Sequence, residues 1–267
     1  MRKPKVLLLF PPLWENSQPY LALPTLKGYL HQHGYEVTQW DVNILFQDHF
    51  LSSDFLTHLV LTRATLPFSE QQRLHYLQTL IPRVNWAKGV LRSDAFFEPT
   101  YLIEAKSILE QSFELLSLIY APTQITPRNF LMSYRCTHSD EVLLATQDRQ
   151  ANPFISFYET KILPEIKAFN PDLVGISIAD GCQIIPSMTL AKMVREHLPN
   201  VHVTIGGSLF SKFATAILKK PAPALTYFFH SLVKGEGEIP LLKLIEAIEG
   251  QHSLRDVPNL MYLDSQG

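Results

Sequence analysis

The chain has 267 residues, of which 46% are hydrophobic, so it is long and apolar enough to bury a core and is not disordered as a whole. Its 23 basic and 25 acidic residues leave a formal charge of −2, which argues against electrostatic binding to a nucleic acid or an anionic membrane. Two cysteines exclude both a disulfide framework and a cluster that needs three thiolates. No stretch approaches the ~18 apolar residues of a membrane span, so the sequence predicts a soluble, cytoplasmic protein.

The N-terminal part predicts the start of a parallel sheet. Residues 5–10, KVLLLF, form an apolar run that ends at two prolines, as expected of a strand buried on both faces. Leucines at helical spacing between Pro24 and Gly34 predict a helix, and residues 35–42 predict a second strand. Strand, helix and strand fit one right-handed crossover unit, which joins parallel strands.

A long helical segment interrupts this pattern. Residues 45–169 contain helical stretches such as 101–120 and 153–169, separated by Pro, Asn and Gln breaks. The segment is too long for an ordinary connection between two strands. It therefore predicts a helical insertion subdomain, to which the sequence assigns no chemistry.

Strands and helices alternate again in the C-terminal part. Buried strands are predicted over 172–178, 201–205 and 228–233, each followed by a helical pattern. Together with the first two strands they predict a doubly wound α/β domain of residues 1–44 and 170–267. The closing VPNLMYLDSQG resembles a strand entering a turn, so we expect the sequence to be a piece of a longer polypeptide.

The loops after the strands are the places to look for a ligand, because open parallel sheets bind ligands beyond the carboxyl ends of their strands. Gly206-Gly207-Ser208 directly follows the fourth strand, where missing side chains would let a bulky group lie against bare backbone. A plain tight turn is the alternative. Ser177, at the end of the third strand, is equally suited to bond a ligand or its own backbone.

A second glycine motif, Lys234-Gly235-Glu236-Gly237-Glu238, follows the fifth strand. It resembles half of a dinucleotide fingerprint, but Pro240 replaces the third glycine and the two acids would repel a pyrophosphate. NAD and FAD are therefore rejected. Two readings stay open: acids that favour the dipole of a helix N-terminus, or glycines that admit a flat ligand while the carboxylates accept hydrogen bonds.

The search for metal ligands and nucleophiles yields no site. His31 and His33 would point about 200° apart on a helix, so they cannot chelate one ion. Cys182 lies in the loop after the third strand, where a structural role is favoured over a functional contact. The sequence has no HExxH, CxxC, GxSxG or P-loop spacing. We therefore expect neither a catalytic residue nor a metal ligand in this chain.

Taken together, these stretches resemble the N-terminal cobalamin-binding domain of cobalamin-dependent radical SAM proteins, especially the members that modify ribosomal peptides. The similarity covers nearly the whole chain and includes a long insertion with an NPF ending. The stretches that carry it are VLLLFPPLW, PYLALPTLKGYLHQHGYEV, NPFISFYETKILPEIKAFNPDLVGISIADGCQ, VHVTIGGS and VKGEGEIPLLKLIEAI with its trailing VPNLMY.

The resemblance implies a flavodoxin-like, Rossmann-type, five-stranded parallel sheet with a helical insertion between strands 2 and 3. Cobalamin would lie across the strand ends. The residues implied to line the pocket for its nucleotide tail are Ser177, Gly206, Gly207, Ser208, Gly235, Glu236, Gly237 and Glu238. The residues implied to lie near the corrin ring are Pro12, Leu13, Trp14 and Gln183.

Two departures refine this implication. No DxHxxG loop follows the first strand, so the resemblance implies base-off cobalamin with no protein histidine on cobalt. No CxxxCxxC is present, so the iron-sulfur cluster and S-adenosylmethionine would belong to a radical SAM barrel expected downstream in the same polypeptide.

The implied function is part of a C-methyltransferase, in which cobalamin relays a methyl group from S-adenosylmethionine to a substrate radical, with a peptide as the substrate of the full-length protein. The alternatives are a corrinoid carrier or sensor module that acts without its own catalysis, and a structural α/β domain that has lost its ligand.

Overall fold

The computed structural model describes residues 2–15, 17–63, 67–219 and 223–262. These residues form two compact units. The first, called the sheet unit here, comprises Met1–Asn43, Tyr134–Arg149 and Pro153–Gly267. The second, the helical unit, comprises Ile44–Ser133 and Gln150–Asn152.

The strands are, in chain order, β1 (Val6–Phe10), β2 (Val37–Asp41), β3 (Gln124–Ile125), β4 (Phe130–Leu131), β5 (Leu173–Ser177), β6 (His202–Gly206), β7 (Ser231–Val233) and β8 (Leu260–Tyr262). The α-helices are α1 (Ala22–Gln32), α2 (Val42–Phe50), α3 (Ser53–Arg63), α4 (Phe68–Gln78), α5 (Val84–Leu91), α6 (Pro99–Ile119), α7 (Ser139–Ala145), α8 (Pro153–Phe157), α9 (Leu163–Phe169), α10 (Ile184–His197), α11 (Ser208–Lys219) and α12 (Glu238–Ile248). No helix in the described ranges is long and apolar enough to cross a membrane.

The sheet unit is built on a six-stranded sheet in the order β2-β1-β5-β6-β7-β8. All neighbouring strands are parallel except β7 and β8, which pair antiparallel. The first five sheet strands, numbered along the chain, thus follow the order 2-1-3-4-5 that defines a flavodoxin-like arrangement. The predicted α/β class and parallel core are confirmed.

The prediction of five strands was wrong by one. Residues 260–262, inside the VPNLMY segment, add β8 at the edge of the sheet. All three are only partly buried, as expected of a short strand at the edge of a sheet. Residues 263–267 of the predicted closing segment lie outside the described residues. β7 is also shorter than the predicted 228–233, because residues 228–230 form a turn after the 3-10 helix Pro223–Tyr227 and the strand begins only at Ser231.

Helices α1 and α12 cover one face of the sheet. Strand side chains alternate between faces, and Val6, Leu8 and Phe10 of β1 form a buried cluster with Leu30 of α1 and Leu241 of α12. Strand positions of the opposite parity are also buried, and α10 packs against β6. Helices therefore cover both faces, as a mainly parallel sheet requires.

The helical unit is smaller than the predicted insertion of 45–169. Residues 134–149 and 153–169 cluster with the sheet unit, where α7 and α8 contact α10. Large apolar side chains explain this placement, since Phe154 and Phe157 are almost fully buried. The helical unit buries large apolar side chains of its own, among them Phe46, Phe113 and Leu116.

Tyr158 offers a test of packing in the sheet unit. Its side chain is fully buried, and its hydroxyl has no hydrogen-bond partner among the described residues. An unpaired buried hydroxyl costs about 1–3 kcal/mol. We therefore expect Tyr158→Phe to raise the free energy of unfolding by about 1 kcal/mol in urea denaturation.

The matched control for this prediction is Tyr134→Phe. The Tyr134 hydroxyl donates a hydrogen bond to Asp148 Oδ2 at 3.0 Å, so its removal should lower the free energy of unfolding by about 1 kcal/mol. Equal losses in both variants would contradict the assignment of an unpaired hydroxyl at Tyr158.

Candidate functional site

A cavity of about 610 Å³ opens at the carboxyl ends of the sheet strands, between α1, the start of α12 and the face of β5 and β6. Its deep part is apolar, with Leu8, Leu23, Leu26 and Leu241, and its rim carries Lys212 and two glutamates. The volume lies within the range of about 300–1,000 Å³ that is usual for small-molecule sites.

Small strand residues create this space. On the face covered by α1 and α12, β1 contributes the large side chains of Leu8 and Phe10. The neighbouring strands β5 and β6 place their smallest residues on the same face. These residues are Gly175 and Ser177 on β5 and Thr204 and Gly206 on β6. A crevice therefore runs along β5 and β6, where larger side chains would fill the gap beneath the helices.

All eight residues predicted for the tail pocket line this one cavity, although they come from three separate loops. They are Ser177, Gly206, Gly207, Ser208, Gly235, Glu236, Gly237 and Glu238. The strand order explains the convergence, because β5, β6 and β7 are adjacent and parallel and end at one edge. Contact with a cofactor stays a prediction.

The glycines of the cavity are required for different structural reasons. This corrects the expectation that all of them leave room for a ligand. Gly207 has a φ of +103°, and a Cβ atom there would lie 2.3 Å from the carbonyl oxygen of Ile178. The chain itself therefore occupies the space beside Gly207. A Cβ atom at Gly206 would meet nothing closer than 3.6 Å, and one at Gly235 would meet nothing within 4 Å, although the φ of +80° there favours glycine.

Hydrogen bonds hold the three loops together. Ser208 Oγ donates to the carbonyl oxygen of Ala179 at 3.1 Å, which links the loops after β6 and β5. Ser211 Oγ accepts from the Gly235 backbone N–H at 2.9 Å, which links α11 to the loop after β7. The rim is therefore fixed by the protein's own contacts, as expected of a preformed site.

The four residues predicted near the corrin do not line the cavity. The Gln183 side chain is fully buried and joins two loops by hydrogen bonds. Its Nε2 donates to the Pro11 carbonyl oxygen at 2.7 Å, and its Oε1 accepts from the Ala179 N–H at 2.8 Å. Leu13 is also fully buried and Pro12 is buried. Trp14 is partly exposed, so it is the member of the four with side-chain surface to offer a ligand.

Several cavity residues escaped the sequence analysis. Tyr20 comes from the loop before α1, and its ring stacks on Phe10 with centroids 4.3 Å apart. No local pattern marks this tyrosine. Ser211 and Lys212 were detectable, because they lie three and four residues after Ser208 and share its face of α11.

Thr204, which lines the cavity, begins a series of hydrogen bonds between buried polar side chains that continues through Ser231 to His202. Thr204 Oγ1 donates to the Ser231 backbone oxygen at 3.2 Å and accepts from Ser231 Oγ at 2.9 Å. Ser231 Oγ also lies 2.8 Å from His202 Nε2. Burial, assisted by the nearby His230 and Arg195, lowers the pKa of His202 to about 4. The imidazole is therefore neutral at physiological pH and helps to satisfy the buried hydroxyls.

This depressed pKa predicts how stability depends on pH. Above pH 6.5 the histidine is neutral in both the folded and the unfolded chain, so it contributes no pH dependence. Below pH 6.5 the unfolded chain binds the proton first, and the free energy of unfolding falls by on the order of 3 kcal/mol as the pH approaches 4. Urea denaturation at pH 7 and pH 4.5 measures this loss, and His202→Gln should reduce it. An unchanged loss in the variant would contradict the assignment.

The described residues contain no group of three or more His, Cys, Asp or Glu side chains that could hold a metal ion. Cys182 has a structural contact, since its thiol donates to the Leu13 carbonyl oxygen at 3.3 Å. Burial, with a smaller effect from Asp180, raises the pKa of this thiol to about 12, so it is protonated and a poor nucleophile.

Comparison with known proteins gives one partial sequence match. No protein-family model matches the chain. An uncharacterized methyltransferase of Pyrococcus horikoshii is 29% identical over 100 residues, which correspond to 38% of this chain and 20% of that protein. The match thus spans about a fifth of the curated relative.

Similar solved structures include two radical S-adenosylmethionine enzymes. One is OxsB, with aqua-cobalamin and S-adenosylmethionine bound: it is 13% identical with a TM-score of 0.47, and the match covers 99% of this chain and 21% of OxsB. Another is the methyltransferase TsrM from Kitasatospora setae, with cobalamin and a 4Fe-4S cluster bound: it is 14% identical with a TM-score of 0.42, and the match covers 100% of this chain and 28% of TsrM. The chain thus spans less than a third of either enzyme.

Proposed function

We propose that this chain binds cobalamin and holds the nucleotide tail of the cofactor in the cavity above β5 and β6. The observation that carries the proposal is the convergence of Ser177 and of both glycine loops on one cavity of about 610 Å³. That volume is within the usual range of small-molecule sites and suits a tail that is inserted at the strand ends. The corrin ring would then remain outside the cavity, on the side of Trp14.

The chemistry of the lining fits such a tail from its base to its phosphate. The flat dimethylbenzimidazole would lie on the apolar floor formed by Leu8, Gly175 and Leu241. The rim glutamates are suited to accept hydrogen bonds from ribose hydroxyls, and Lys212 is suited to attract the phosphate. The loops after β6 and β7 would exclude water from the base.

The finer parts of the proposal concern the whole protein. When bound, cobalamin supplies a cobalt centre that can carry a methyl group, and we infer that it is base-off with no protein histidine on cobalt. We further infer a radical SAM barrel in the same polypeptide and a C-methyltransferase reaction on a peptide. The partial match to a methyltransferase supports the reaction class.

Titration of the purified chain with hydroxocobalamin tests the proposal. We expect saturable binding with an absorption spectrum that lacks benzimidazole coordination to cobalt. Cobinamide, which lacks the nucleotide tail, is the matched ligand and should bind at least tenfold more weakly.

Each result that would contradict the proposal can be told apart from the others. Tight binding with the benzimidazole still on cobalt would contradict insertion of the tail. No spectral change at all would favour a structural α/β domain without a ligand. Methyl transfer by the full-length protein with a radical SAM barrel would support the enzyme, whereas binding without such a barrel would favour a carrier or sensor module.

A further inference from the structure

Two hydroxyl groups of the cavity lining lie within hydrogen-bond distance of each other. Tyr20 OH lies 3.0 Å from Ser177 Oγ, although the two residues are 157 positions apart in the sequence. Both residues line the cavity, and Ser177 is 8% exposed. Neither hydroxyl has another hydrogen-bond partner among the described residues.

The aromatic surroundings fix the phenol in place. The Tyr20 ring stacks on Phe10 with an interplanar angle of 13° and meets the edge of Trp14 at 5.9 Å between centroids. The Trp14 indole N–H in turn donates to the Gln18 carbonyl oxygen at 2.7 Å. Tyr20 is therefore presented to Ser177 by a packed cluster rather than by a free side chain.

The direction of the hydrogen bond follows from the chemistry of the two groups. The 3.0 Å contact allows either hydroxyl to donate, and we assign Tyr20 as the donor and Ser177 as the acceptor because a phenol is a stronger hydrogen-bond donor than an aliphatic alcohol. A phenol has one proton to donate, which this bond uses. The Ser177 proton then remains available to the cavity, and the donated bond polarises it further.

We propose that Tyr20 is a positioning residue, which orients the Ser177 hydroxyl as a hydrogen-bond donor to an acceptor atom on the ligand's aromatic base. This inference rests on the proposed function and adds to it a selectivity for the tail base of the corrinoid. The site would select corrinoids whose tail base has an unsubstituted ring nitrogen. Corrinoids with a phenolic tail, which lacks that nitrogen, would leave the serine proton unpaired in a buried place and bind more weakly.

The test compares the binding of two corrinoids, cobalamin and a cobamide with a phenolic tail, to the whole chain. The wild-type protein should prefer cobalamin by about tenfold, and Ser177→Ala should abolish the preference. Tyr20→Phe keeps the ring stacked on Phe10 and should weaken cobalamin binding about fivefold while leaving the phenolic cobamide unaffected. In the Ser177→Ala background, Tyr20→Phe should have no further effect.

Tyr29→Phe is the matched control, because Tyr29 lies on α1 but does not line the cavity. It should leave both affinities unchanged, and thermal melting should show that all variants fold. The inference is overturned if Tyr20→Phe weakens both corrinoids equally, if it weakens neither, or if its effect persists without the Ser177 hydroxyl. Failure of the wild-type protein to bind either corrinoid would instead overturn the proposed function, on which this inference rests.

Discussion

Gly207→Ala is expected to destabilise the sheet unit severely, by at least about 3 kcal/mol. The added Cβ atom would lie 2.3 Å from the Ile178 carbonyl oxygen and 2.7 Å from its backbone nitrogen, so backbone would have to move. Those backbone atoms also take part in the contacts that join the loops, since Ile178 N–H donates to the Gly206 carbonyl oxygen at 2.9 Å. The positive φ of +103° adds strain for any residue with a side chain.

Thermal and urea denaturation would measure this loss, and Gly206→Ala is the matched control. A Cβ atom at Gly206 would meet only ordinary contacts, with Val233 O the nearest atom at 3.6 Å. We expect that neighbouring substitution to change the free energy of unfolding by no more than about 1 kcal/mol. Similar stability of the two variants would contradict the close approach of the β5 and β6 loops.

Gly206→Val is expected to abolish cobalamin binding, by a factor of at least a hundred, while the protein stays folded. Gly206 ends β6 and lines the cavity, and its position on the strand faces the same side as Ser177. A branched side chain is well accepted by a strand but would fill the crevice above it. Spectroscopic titration with hydroxocobalamin gives the affinity, and circular dichroism reports the fold.

Gly28→Val is the control for this second prediction. Gly28 is exposed on α1, and a Cβ atom there would meet nothing within 4 Å. The variant should bind cobalamin with wild-type affinity. If the two valine variants bind equally well, the proposed ligand does not occupy the cavity between α1 and β6.

The predictions for Gly206 and Gly207 assign different roles to two adjacent glycines, which the sequence alone could not distinguish. The adjacent glycines form one motif in the sequence, where a bare backbone for a ligand and a tight turn were both open. In the structure the backbone of Ile178 occupies the space beside Gly207, so the tight-turn reading applies there, whereas the space beside Gly206 is open and its use by a ligand stays a prediction. The distinction depends on where the backbone of Ile178 lies, and Ile178 comes from a different strand connection.

The sequence by itself determined the α/β class and the positions of the candidate loops, because the apolar periodicity of strands and helices is local. The sequence placed the candidate loops after predicted strands, but the strand order of the structure decided that β5, β6 and β7 are adjacent and that their loops converge at one edge. The closing VPNLMY segment was recognised as strand-like, but the sequence did not show that Leu260–Tyr262 pairs with β7 as a sixth strand, because pairing at the edge of a sheet depends on the tertiary structure.

Only the tertiary structure decided which side chains face the cavity. The resemblance implied that Gln183 lies near the corrin ring, and in the structure its buried amide donates a hydrogen bond to the Pro11 carbonyl oxygen. Tyr20 had no recognisable signal, yet it reaches Ser177 across the crevice. Such contacts join residues more than 150 positions apart, and they depend on strand register and helix packing, which no local pattern encodes.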